Sequence, residues 1–252
     1  MTAFFTTILY QPIFNLFVFL YDFIPDMGII ILIVTVAIKL ALHPLTTKSI
    51  KAQKDLQEMQ PKLEAIKKEF KGDQQRIAQE TMKLYSEHKV NPLGSCLPML
   101  IQLPVFFALY YVLRGLFGNI RFDLLYSFVA RPENISPISL GIFDLSQRSI
   151  VLAVLAAGTQ FLQAKMMQAK RPPKEAGEGG KDESMASMMN KQMLYFLPLM
   201  TLLIGMSFPG GLTLYWFLST LFMLLQQMWI FKKHGKPGDG NGKGVIEGTL
   251  VE

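Results

Sequence analysis

Between Met27 and Pro44 the chain reads MGIIILIVTVAIKLALHP, an apolar run holding a single charge, Lys39. As a helix, Gly28 to Pro44 covers about 25 Å at about 1.5 Å per residue, close to the roughly 30 Å of a bilayer's hydrocarbon core. Lys39 then stands about 7 Å from the Pro44 end. An ammonium group costs up to roughly 2.5–3.5 kcal/mol at mid-membrane and less towards an end. A charge placed so is a functional group by default, and snorkelling of its long stem to the interface is the plain rival.

The rest of the composition agrees with a membrane setting. Of 252 residues half are hydrophobic, 15 are Met, and the apolar residues gather in long runs, unlike the scatter of a soluble globular domain. The net charge of +6 does not point to nucleic acid, because the basic residues flank the apolar runs instead of mixing with aromatics on one soluble domain. That is the form of a topology signal. One cysteine, Cys96, rules out an internal disulfide or a thiolate metal cluster. His43, His88 and His234 lie far apart, so no metal site is expected.

Taken in order, residues 1–26 carry no Lys or Arg and place Phe4, Phe5, Ile8, Leu9, Ile13, Leu16, Phe17 and Leu20 at helical spacing. No basic leader and no small-residue cleavage site is present, so a signal peptide is not expected. An interfacial helix and an additional membrane span are the two readings; Pro12, Gln11, Asn15 and Asp22 favour the interface. The first span covers 27–45. Residues 46–91 turn abruptly polar and charged, with Leu56, Met59, Leu63, Ile66 and Phe70 on one helical stripe and Ile77, Thr81, Leu84 and His88 on another. Gly72 stops the first helix and Asp73 caps the second, predicting a helical hairpin outside the bilayer, with Pro61 as a kink or restart.

Further apolar segments follow at 92–114, 149–165, 193–208 and 211–231. Pro98 and Pro104 inside the second predict a kinked helix packed within a bundle, where neighbours satisfy the freed carbonyls. The third and fourth are short against a bilayer core, so local thinning is expected. Residues 115–148 form a connector with short helices, 166–192 a Pro/Gly-rich charged loop, and 232–252 a polar tail too rich in Gly to fold. The hairpin, the loop with Lys165, and the tail hold 20 of the 25 Lys and Arg. The positive-inside rule then selects five spans with the N-terminus outside and the C-terminus in the cytosol. The fold expected is an all-α membrane protein: a five-helix bundle, a cytosolic helical hairpin and an N-terminal amphipathic interfacial helix.

Polar residues that can share a cavity with Lys39 are Gln102 in the second span, Gln160 and Gln163 in the third, Thr201 in the fourth, and Tyr215, Trp216, Ser219, Thr220 and Gln226 in the fifth. For a single glutamine, plain interhelical hydrogen bonding is the stronger reading; for Tyr215 and Trp216, packing or an aromatic belt stands level with function. No Asp or Glu occurs in any span, against a proton- or cation-coupled carrier. No phosphate-binding GxxxxGK[ST] motif occurs, so no nucleotide or other cofactor is expected. No Ser/His/Asp set lies at membrane depth, so no catalytic residue is assigned. What is left is a positively charged, amide-lined groove facing the cytosol, able to hold an acidic or polar peptide while its apolar neighbour enters lipid. A solute carrier or channel using the same groove, and a passive scaffold, are the rivals.

Four blocks carry a resemblance over about Pro12 to Phe231: TVAIKLALHPLTTKS, NPLGSCLPMLIQLPVFFALYYVLR, TQFLQAKMM and FPGGLTLYWFLSTLFMLLQQ. Together they resemble the YidC/Oxa/Alb membrane-protein insertases. The resemblance implies a non-enzymatic insertase and chaperone of the bacterial plasma membrane, with five core helices around a hydrophilic groove open to cytosol and lipid. It also implies an amphipathic outer helix before the first span, a mobile cytosolic hairpin over 46–90, and, as partners, nascent membrane proteins, the lipid bilayer, the Sec translocon, the ribosome and targeting factors. Lys39 falls where the family usually has a groove arginine, keeping the charge but losing the fork geometry. Gln163 and Trp216 fall on groove-lining positions, with Gln160 as a neighbour; Ser219 and Thr220 stand where asparagines are common. The large outer domain of many Gram-negative members is missing, as is the lipoprotein cysteine common in Gram-positive ones.

Overall fold

The computed structural model describes residues 3–118, 120–166 and 192–234. Most of the expected charged loop over 166–192, and the tail after His234, lie outside the described residues.

The N-terminal segment is one continuous helical rod: a first turn Ala3–Phe5, a π-helical stretch Thr6–Tyr10, and helix α1, Gln11–Phe23. Pro12, the second residue of α1, cannot donate back into the preceding turn, and the π-helical stretch lies immediately before it. Phe14, Phe17 and Val18 are buried on one side; Leu16, Phe19 and Phe23 are exposed on the other. An exposed apolar face opposite a buried one suits a helix lying against lipid better than one in water.

Helix α2, Met27–Ala41, starts at Asp26, whose carboxylate accepts from the Gly28 and Ile29 amides at 2.9 and 3.1 Å, a side-chain N-cap. It stops before the expected 45 because Leu42 leaves helical geometry (φ −87°, ψ −2°) and Pro44 cannot donate back. The chain bends by 67° into α3, His43–Glu58. Helix α3 does not project away but packs against α6, Pro92–Leu116, with Ile50 buried against Ile230 and Phe231. Pro61 restarts the helix as α4, Gln60–Glu69, and Asp73 caps α5, Gln74–Glu87, on the Arg76 amide at 3.0 Å. These two helices form a hairpin closed at its foot by Lys62 Nζ donating to His88 Nε2 at 2.7 Å. His88 Nδ1 faces the Leu84 carbonyl, so the ring proton sits on Nδ1.

The connector after α6 departs from the all-helical expectation. It carries a 3₁₀ turn, Phe122–Leu124, and a two-stranded antiparallel ribbon, β1 (Ile138–Ser139) and β2 (Phe143–Asp144), in register Ile138 to Asp144 and Ser139 to Phe143. Helix α7, Ile150–Met166, packs against α8, Leu197–Gly205, and against α9, Gly210–His234; α9 also packs on α2. At Gly205 an added Cβ would come within 3.2 Å of the Ala153 methyl, so glycine sets how closely α7 and α8 approach.

Among the described residues one straight helix, Gly210–Lys232, is long and apolar enough by itself to cross a bilayer. The other apolar helices are shorter, and α2 with α3 forms a bent pair. Large side chains stay exposed along them, including Leu32, Ile33, Phe107, Val154, Leu203 and Leu225. In water such a surface would aggregate; against lipid tails it costs nothing.

Candidate functional site

Lys39 is 7% exposed, two residues from the end of α2. Its Nζ donates to Gln102 Oε1 of α6 at 3.2 Å, and the other end of the same amide, Nε2, donates to the Tyr215 hydroxyl of α9. Ser219, one turn along α9, adds a hydroxyl beside Tyr215. Three helices therefore meet in one polar file: ammonium, amide, phenol, hydroxyl. No ion pair of Lys39 with a carboxylate occurs among the described residues.

The members of this file are staggered along the helix axes, with Lys39 in the last turn of α2 and Tyr215 near the start of α9. Gly211 lies level with Ile31, since its Cβ position comes within 3.4 Å of Ile31 Cδ1. Tyr215 is then about 6 Å along α9 and Lys39 about 12 Å along α2 from that level. The two long side chains and the Gln102 amide bridge the difference. An ammonium with a single neutral amide as partner keeps two of its three donors unspent on the protein side chains described. Such a group is primed to take an anionic or carbonyl acceptor.

The other expected site residues are placed as follows. Gln160 accepts from Thr201 Oγ1 at 3.1 Å, tying α7 to α8 instead of joining Lys39. Gln163 is half-buried on α7, one turn further along. Trp216 meets Phe106 edge-on, ring centroids 5.5 Å apart. Thr220 donates to the Trp216 carbonyl at 2.9 Å within its own helix, so its proton is spent. Gln102 is the residue that gathers the site, and its signal was its place as the amide of an otherwise apolar helix.

A second polar cluster, at the start of α3, joins Gln226, one of the polar residues expected in the fifth span, to two threonines that lie outside the expected spans. Gln226 Nε2 donates to Thr46 and Thr47 hydroxyls at 3.0 and 3.1 Å, pinning α3 to α9. Nearby in sequence, the Gln227 Oε1 is buried without a hydrogen-bond partner among the described residues. Beside the polar file, α2 and α9 leave a wholly apolar crevice of about 140 Å³ lined by Leu32, Thr35, Val36, Leu218, Leu221, Phe222 and Leu225. Thr35 adds no polarity there, as its hydroxyl donates to the Ile31 carbonyl at 2.6 Å.

The opposite end is held by carboxylate and amide clamps. Besides capping α2, Asp26 accepts from the Ser139 hydroxyl at 2.6 Å and the Leu140 amide at 2.7 Å. Burial works to raise its pKa, but these hydrogen bonds, with those from Ile29 and Gly28, outweigh it and hold the carboxyl below its ordinary range. A Cβ on Gly28 would collide with Ser139, so glycine is required where the ribbon crosses α2. Asn15 of α1 accepts from the Tyr126 amide at 2.7 Å and donates to the Leu124 carbonyl at 2.9 Å. The Asp-x-Gly pattern before an apolar run was a readable capping signal; that the same carboxylate also grips the connector was not.

Comparison with known proteins gives a consistent answer. A profile of the 60Kd inner membrane protein family matches residues 19–237. The membrane protein insertase YidC of Fusobacterium nucleatum is 39% identical over 213 residues, covering 84% of this chain and 89% of that protein. The YidC of Geobacter sp. strain M21 is 36% identical over 224 residues, covering 88% of this chain. The chain spans only 36% of that longer protein's length. In fold, a crystal structure of an active YidC insertase with its first transmembrane domain resolved aligns with a TM-score of 0.57 at 24% identity, over 89% of this chain and 46% of that one. A match across most of the chain, shared with relatives of the same name and mirrored in the fold, means that this protein belongs to the 60Kd inner membrane protein family, the YidC/Oxa1 insertases.

Proposed function

We propose that this protein is a membrane-protein insertase and chaperone, acting without bond-making chemistry, that receives hydrophilic segments of nascent membrane proteins at Lys39 and passes their apolar helices to lipid. The observation that carries this reading is a buried ammonium held by one neutral amide, with no carboxylate beside it among the described residues. A resting site that already paired its charge would have none to offer a client.

In this reading helices α2, α6, α7, α8 and α9 are five spans, the connector lies outside and the α4–α5 hairpin lies in the cytosol. Lys39 draws an acidic or polar tail inward, with Tyr215, Ser219 and the Gln102 amide as further partners and Gln160, Gln163, Trp216 and Thr220 along the wall. The client helix leaves into lipid beside α7 and α9. Burying it releases about 25 cal/mol per Å² of apolar surface, so no nucleotide is consumed. A potential positive outside adds about 2.3 kcal/mol per acidic charge per 100 mV. The Sec translocon, ribosome and targeting factors are the partners the reading calls for, the hairpin offering them a charged surface.

The test is Sec-free insertion into liposomes of a single-span substrate with an acidic N-terminal tail, scored by protease protection. Wild type and Lys39→Arg are expected to protect the tail, Lys39→Ala to protect less, and Lys39→Glu least, by about tenfold or more if one charge contact of about 1.4 kcal/mol is reversed. Equal protection by all four would reduce Lys39 to a snorkelling side chain. No insertion by wild type would overturn the function, and solute flux dependent on Lys39 would replace it with a carrier.

A further inference from the structure

The β1–β2 ribbon has a use that neither the site nor the proposed function accounts for. Its tip exposes four large apolar side chains in close succession: Ile138 50%, Leu140 67%, Ile142 75% and Phe143 37%. From Ser136 to Phe143 there is no charged residue. The turn is closed by the Ile142 amide donating to the Ser139 carbonyl at 3.1 Å, and its central residues, Leu140 and Gly141, both have positive φ, 51° and 73°. Such turns ordinarily take Asn, Asp or Gly at the first of these positions. A leucine there costs stability in the left-handed region, and a polar residue would also suit water. Strain accepted in order to present an apolar side chain outward calls for an apolar neighbour.

The anchoring says which neighbour. Asp26 caps α2 and grips Ser139 and Leu140 with the same carboxylate, so the tip is held at the level where α2 begins. Exposed apolar side chains of α2 start within a turn of that clamp, at Ile29, and continue through Leu32 and Ile33. Gly28, with no room for a Cβ, lets the ribbon lie directly on the helix. We propose that the Leu140–Phe143 tip is a membrane anchor, seated among the acyl chains of the connector-side leaflet and fixing the depth of α2 and, through it, of Lys39. This rests on the membrane-spanning reading of α2 and α7, and the experiment separates the two.

In full-length protein carrying Cys96→Ala, a single cysteine from Ile142→Cys is labelled with nitrobenzoxadiazole and the protein reconstituted in phosphatidylcholine vesicles. Ile138→Cys serves if that variant yields no protein. Asn134→Cys, exposed in the connector, and Val154→Cys, exposed on α7, are the controls. The expected result is blue-shifted emission at 142, quenched by lipid bearing a nitroxide high on its acyl chain, with water-like emission at 134 and quenching by a deep nitroxide at 154. Water-like, unquenched emission at 142 with quenching intact at 154 overturns the anchor alone. Blue-shifted emission that lipid nitroxides do not quench overturns it in favour of a protein partner or a second copy. Absence of quenching at 154 overturns the spanning reading and the anchor with it.

Discussion

The two ends of the helical bundle are built on opposite principles. At the connector end, no buried side-chain polar atom among the described residues lacks a hydrogen-bond partner. Asp26 takes four donors, Asn15 bridges α1 to the backbone at Leu124 and Tyr126, and the Ser136 amide donates to the Tyr21 hydroxyl at 2.9 Å. The α8–α9 turn is tied down as well, its Gly210 and Gly211 amides donating to the Gln147 and Leu145 carbonyls at 2.7 and 2.8 Å. Towards the hairpin end an ammonium has one neutral amide, the Gln227 carbonyl oxygen has no partner among the described residues, and α3 bends across the bundle on threonine–glutamine contacts. In a setting where packing differs little from solvation by lipid, hydrogen bonds decide which parts are rigid. The connector end is closed by its own hydrogen bonds; the hairpin end is the one at which the proposed function seats a client.

Substitutions can break that contrast. The largest loss of stability is expected for Asp26→Ala, which removes the α2 cap and leaves the Leu140 amide and Ser139 hydroxyl without their charged acceptor. A loss of about 2–4 kcal/mol is expected, read as thermal unfolding in detergent. Asn15→Ala leaves the Tyr126 amide and Leu124 carbonyl unanswered and is expected to cost about 1–3 kcal/mol on the same assay. At the other end the sign is expected to change: Lys39→Met, apolar and of similar length, leaves stability equal or raises it by up to about 2 kcal/mol while lowering insertion to the level of Lys39→Ala. A loss of stability comparable to Asp26→Ala would make Lys39 structural and dissolve the contrast.

Acid sharpens the same comparison. Asp26 has a folded pKa below its unfolded value, so its stabilisation is fully present above the unfolded carboxylate range, about 4. It is lost as pH falls from there through the lowered value. Hydrogen exchange at the start of α2 and in the β ribbon is expected to rise in that window in wild type, and to be independent of pH there in Asp26→Asn. The smallest effect is expected at the hairpin foot, where Lys62 and His88 meet in the open: Lys62→Ala changes stability by less than about 0.5 kcal/mol.

Much of the helical content was legible because it is local. The residues of the 56–70 and 77–88 stripes are the less exposed ones of α4, α5 and the end of α3, as a period near 3.6 requires. Asp73 and Pro61 mark helix starts for reasons confined to one turn of backbone. The 67° bend at Leu42 was half visible, in Pro44; that α3 then packs into the bundle was not, since its buried face carries Thr46 and Ser49 and looks soluble. The β ribbon escaped because two-residue strands have no periodicity, and its signal, Leu-Gly in a hairpin turn, is a residue pair that such turns seldom use.

By itself, then, the sequence determined where apolar helices run, that a lone lysine stands inside one of them, and, through its blocks, the family. Hydropathy, capping and proline are properties of neighbours along the chain, and they need no fold to act. Only the tertiary structure decided what Lys39 touches. Its partner Gln102 is 63 positions away and Gln102's partner Tyr215 another 113, while Gln160, equally polar, turns to Thr201 instead. Which amide meets which charge depends on how helices rotate and cross, and that is set by close packing such as the approach of Gly205 to Ala153 and of Gly28 to Ser139, where one methyl group would force the elements apart.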